Sequence, residues 1–162
     1  MRLLLFLILL LSAIDCNSQS GVLFYSESAF NSDTCCWRKL SSEGDYIAGA
    51  KLLEDYLETH DKNVNQQALH WHAGQLYAMA GANMEACSHF HKTYNVLYKW
   101  FGGADGRTWY YYAKGTVAFL HRNRPRLERY LRKWQQHYPE DVNYRALMRL
   151  LQNWDKPYRE AA

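Results

Sequence analysis

Cys87, His89 and His91 are the residues whose chemistry stands out on first reading, because thiolate and imidazole groups this close together can ligate a transition metal. They end the stretch GQLYAMAGANMEACSHFHKTY, Gly74 to Tyr94. On one helix Cys87 and His91 lie about 40° apart, whereas His89 points about 160° away from His91. An unbroken helix therefore cannot aim all three at one ion. Cys87 and His91 with a third ligand such as His72 remain an alternative reading, a metal- or small-ligand-binding helical protein, although the paired-cysteine spacing of structural zinc sites is absent. No metal and no other cofactor is expected, and His70, His72 and His89 read as partly exposed helix residues. Glu54, Asp55 and Glu58 share one acidic helix and read as a solvated face. FGGADGR, from Phe101, lacks the lysine and the serine or threonine of a phosphate loop and reads as a long turn. No residue is assigned a catalytic role, so the chain is read as a non-enzyme.

The basic cluster is the stronger candidate. Arg122, Arg124, Arg126, Arg129, Arg132 and Lys133 stand against the single acid Glu128. A helix beginning near Pro125 would place Arg124 and Arg126 at its positive end, which costs a few tenths of a kcal/mol each. A sequence selected for stability alone would avoid that. The cluster fits an anionic partner, such as an acidic protein, a cell-wall polymer or a lipid headgroup, and it also fits a solvated outer face. A formal net charge of only +3 argues against nucleic acid.

These residues need elements to position them, and the periodicity is helical almost throughout. Only GVLFYS, Gly21 to Ser26, alternates as a strand would, and the polar connectors SSEG, HDKNVN, GGADGR and RNRP break the rest. The expected fold is all-α. Aligned on Trp37, Gly74 and Gly115, the chain repeats one layout. Twelve residues on lie Gly49, Ala86 and Leu127, then Leu53, Phe90 and Leu131, then Tyr56, Thr93 and Trp134. After Pro139, Tyr144, Leu147, Leu150 and Leu151 mark one more amphipathic helix, which would cap the last apolar face.

On Gly74, Tyr77, Gly81, Ala86 and Phe90, with GDYIAGAKLLEDYLE from Gly44 and with Gly115 and Pro139, the sequence resembles the tetratricopeptide repeat family. The resemblance covers about Phe30 to Pro139. It departs at Trp37, where a small residue is usual, and at Arg122 and Arg124, which replace the glycine and aromatic of the turn. The anchor spacings of 37 and 41 also exceed the family's 34. The resemblance implies a short right-handed solenoid of about three antiparallel hairpins over residues 30–155 with a C-terminal capping helix. It further implies a concave groove for a protein or peptide partner, on rows held here by Arg38, Trp71, Gln75, Trp109, Tyr112 and Thr116. Whether residues 21–29 fold back into that groove is left open, with 19–29 expected as an extended segment and 156–162 as a tail.

The first residues set the compartment. Arg2 precedes the apolar run Leu3 to Leu11, too short for a permanent span, so residues 1–18 read as a signal peptide and no stable membrane span is expected after cleavage. Asp15 before Cys16 argues against lipoprotein anchoring. Export to the periplasm or beyond permits disulfides, with Cys87 pairing to Cys35 or Cys36 as the candidates. The expected function is an exported interaction module, an adaptor, assembly factor or inhibitor, with an immunity protein that blocks a toxin as a close alternative.

Overall fold

The computed structural model describes residues 21–33, 36–60, 63–136 and 140–162, and among them every regular element is a helix. The expected signal peptide, Cys16, Cys35 and Pro139 lie outside the described residues. The chain divides into two compact units between Val64 and Asn65.

The first unit holds α1 (Glu27–Phe30), α2 (Cys36–Ser42) and α3 (Tyr46–Thr59). α2 and α3 pack on one another, and Asp45 caps α3 by accepting from the Ala48 N–H. Residues 21–26 are not the strand-like segment expected. They turn, with the Tyr25 N–H bonded to the Val22 carbonyl, and lie against α3. Tyr56 donates its hydroxyl to the Tyr25 carbonyl at 2.9 Å, and the Phe30 ring stacks on that of Tyr56 at 3.7 Å. The alternation does not mark a strand: the Phe24 and Tyr25 side chains are exposed, and α3 holds the segment through backbone carbonyls instead.

The second unit holds α4 (Gln66–Met79), α5 (Asn83–His91), α6 (Val96–Phe101), α7 (Gly103–Leu120), α8 (Arg124–Gln135), α9 (Val142–Gln152) and α10 (Tyr158–Ala161). α4 packs on α5 and α7 on α8, while α5 also meets α7. α9 packs on both α7 and α8. α10 packs back on α9 and α4, so residues 156–162 are not a free tail. α6 is the extra element that lengthens the second anchor spacing to 41. GGADGR is helical from Gly103 onward because only Gly103 takes a positive φ (62°), which leaves Ala104 to Arg107 free to form the first turns of α7.

All four aligned rows are buried, from Trp37, Gly74 and Gly115 through to Tyr56, Thr93 and Trp134. The reason for glycine is visible at Gly74: a Cβ there would stand 2.7 Å from the Phe90 ring, inside van der Waals contact. Gly115 likewise gives way to Leu147 of α9. The turns repeat more faithfully than the residues. Gly44, Gly81 and Arg122 take φ of 86°, 81° and 54°, and the next residue bonds back to Leu40, Tyr77 and Ala118 at 2.8–2.9 Å. This is one left-handed helix end used three times.

Candidate functional site

The structure divides the basic cluster into residues with different tasks. Asn123 caps α8 by accepting from the Arg126 N–H, with Pro125 in the first turn. Leu127, Tyr130, Leu131 and Trp134 bury one face of that helix, which turns Arg126, Arg129, Arg132 and Lys133 to solvent. Arg122 is structural: its guanidinium donates to the Trp154 carbonyl and to the Lys156 carbonyl, the latter at 3.1 Å. Arg124 donates to Glu128 at 3.0 Å, and Arg132 reaches the same carboxylate only at 4.0 Å. Arg126, Arg129 and Arg132 line an open hollow of about 430 Å³ together with Asn123 and Pro125. Among the described residues no carboxylate lines it.

The aromatic rows converge, but mostly on one another. Trp71 lies 4.8 Å from both Trp109 and Tyr112, ring centre to ring centre, and 4.5 Å from Phe90. Trp109 donates its indole N–H to the Thr93 carbonyl at 2.8 Å. Trp71 and Thr116 are buried at 6% and 1% exposure. Gln75 bonds to the phenol of Tyr158. That phenol is buried at the start of α10, and burial pushes its pKa up, as it does for Tyr112. The C-terminal segment therefore meets α4 at Gln75, one of the positions that the family resemblance assigns to a groove. Residues 21–29 stay with α3 in the first unit, where Arg38 also remains, donating to the Asn31 carbonyl at 3.0 Å and stacking over Trp37.

The histidines and Cys87 form no metal cage. Among the described residues no group of three or more His, Cys, Asp or Glu is placed to hold an ion. His91 bonds the Cys87 carbonyl through Nδ1, His72 meets Gln75 at 3.2 Å, and His70 meets His89 at 3.1 Å between ring nitrogens. His89 is buried rather than partly exposed, since it faces α4 across the hairpin. Cys87 does not form the expected bridge. Its thiol is free and buried, and burial raises its pKa, whereas Cys36 is disulfide-bonded.

Sequence reasoning missed two features. His91, Lys114 and His121 join Arg126 around a second cavity, which spacing along one helix cannot reveal because three elements contribute. α6 presents Leu97, Trp100 and Phe101 to solvent, with Phe101 at 86% exposure. No helix among the described residues is long and apolar enough to cross a membrane. No protein-family model, curated protein or solved structure matches the chain.

Proposed function

We propose that this chain is an exported, non-catalytic helical binding protein that docks an acidic protein or peptide partner on the outer face of α8. The observation that carries this reading is the open hollow in which Arg126, Arg129 and Arg132 converge without a lining carboxylate. Like charges gathered in this way repel one another, and an anionic partner relieves the repulsion. The aromatic rows support the choice by contrast, because Trp71 and Thr116 are already buried by their own chain. The architecture that goes with the proposal is a short tetratricopeptide-like array closed by α9, and export rests on the apolar run at Leu3 to Leu11.

The test reverses Arg126, Arg129 and Arg132 to Glu and compares partner capture with a control in which the exposed Lys39, Lys51 and Arg145 are reversed instead. Capture lost in the first variant and kept in the second, and weakened by added salt in the native chain, is the expected result. Equal capture by both variants would sink the proposal.

A further inference from the structure

The cavity beside the hollow has a composition of its own. It measures about 240 Å³ and is lined by His91, Lys114, His121, Asn123 and Arg126 over Val117 and Ala118. Three elements supply the polar groups: His91 ends α5, Lys114 lies on α7 with His121 at its C-cap two turns on, and Arg126 stands in the first turn of α8. α7 packs directly on both of the others. The floor is firm, because Val117 and Ala118 are buried at 7% and 2% exposure.

Among the described residues no acid lines this space. Lys114 and Arg126 form no ion pair among the described residues. The Lys114 ammonium rests over the ring of Tyr94 at 4.8 Å, which holds it in place without neutralising it. The Tyr94 hydroxyl is itself buried with no hydrogen-bond partner. Asn123 uses its side-chain oxygen to cap α8, which leaves its amide N–H groups as donors. The start of α8 adds the positive end of a helix dipole.

We propose that this cavity binds a phosphate group carrying two negative charges, free or as a phosphomonoester. Two fixed cations balance a dianion, and donors arriving from three helices suit a group with acceptor oxygens on several sides. A flat carboxylate would be satisfied by the Arg126 fork alone and would leave Lys114 and the imidazoles unused. The volume is several times the ~30 Å³ share of one water, so the group fits with room for bridging water. The site shares Asn123 and Arg126 with the docking hollow but does not depend on the partner proposed above.

The test follows the side-chain resonances of His91 and His121 while inorganic phosphate is added to the purified chain, with chloride at matched ionic strength as the control. Saturable shifts with phosphate and none with chloride are expected. Lys114→Ala weakens the affinity about tenfold or more, as loss of a charge-assisted contact should, while Arg129→Ala, outside the cavity, changes it less than about twofold. Arg126→Gln provides a second lesion if Lys114→Ala fails to fold. O-phosphoserine and vesicles containing phosphatidate form two further arms, and binding in either that Lys114→Ala abolishes supports the site and identifies the source. Shifts that do not saturate, shifts matched by chloride, or equal weakening by Arg129→Ala overturn it. Loss of partner capture on charge reversal has no bearing on that result, so the two proposals fail separately.

Discussion

Gly74→Ala adds one methyl group where α4 meets α5, and the structure sets its consequence. The added carbon would stand 2.7, 2.7 and 3.1 Å from three atoms of the Phe90 ring. That ring is fully buried and lies against Trp71 at 4.5 Å, so it cannot swing away without displacing a second aromatic. Two effects oppose each other. Alanine in place of a mid-helix glycine favours α4 by about 1 kcal/mol. Overpacking a filled core costs about 1–3 kcal/mol, and a rigid ring hemmed in on its far side places this site near the upper end. The net expectation is a loss of about 1–2 kcal/mol, which for a unit of this size lowers the Tm by roughly 5–15 °C. Urea unfolding followed by circular dichroism measures it. The double variant Gly74→Ala with Phe90→Leu should lose less than the sum of its parts, by about 1 kcal/mol or more, since the two residues share the contact. A stability equal to or above that of the native chain for Gly74→Ala would refute the claim that this glycine exists for close approach.

Other predictions follow from single contacts. Arg122→Ala should lower stability more than Arg122→Gly, by about 1 kcal/mol, because alanine keeps the strained positive φ while both lose the bonds to the Trp154 and Lys156 carbonyls. Unfolding curves rank the two, and the opposite order would deny the strain. Tyr94 has its pKa pushed up to about 12 by burial, so the folded state holds this proton longer than the unfolded chain, whose tyrosines titrate near ~10. Its contribution is fully present below about pH 10 and is lost as pH rises towards about 12, and Tyr94→Phe should flatten the fall in stability across that window. Because the hydroxyl is buried without a partner, the same variant should be neutral or stabilising at pH 7, and a loss above about 1 kcal/mol would mean a partner exists. Cys87 should resist thiol-directed labelling at pH 7 in the folded chain and react fully in denaturant, as a buried thiol with a raised pKa must. Rapid labelling of the folded chain would contradict its burial.

The rows were legible because burial leaves a periodic mark. Small residues at Gly74 and Gly115 and bulky ones at Phe90 and Leu131 stand at spacings fixed by helix geometry. Two of the three turns were legible through Gly44 and Gly81. The third turn could be placed at RNRP, but not its left-handed conformation, since Arg122 carries a side chain that this backbone disfavours. The glycines at 102 and 103 misled in the other direction: they read as a loop and begin a helix. The basic face of α8 could be read from composition, but not its division into Arg122 as an anchor, Arg124 paired with Glu128 and the three arginines that converge. Closure of the aromatic rows was hidden because Tyr158 and Gln75 lie far apart in sequence, and a single contact at such separation leaves no periodic trace.

The packing of α10 on α4 joins the last described helix of the second unit to its first. On a ribosome, synthesis runs from the N-terminus at about 5–20 residues per second, so Gln75 emerges seconds before Tyr158 can reach it. Over that interval the surface destined for burial stays open to whatever lies near. The unit can assemble its hairpins as they appear, but its final seal waits until α10 has left the ribosome. A product truncated before Pro157 would keep every hairpin and still expose that surface, which would make it the form most prone to stray association.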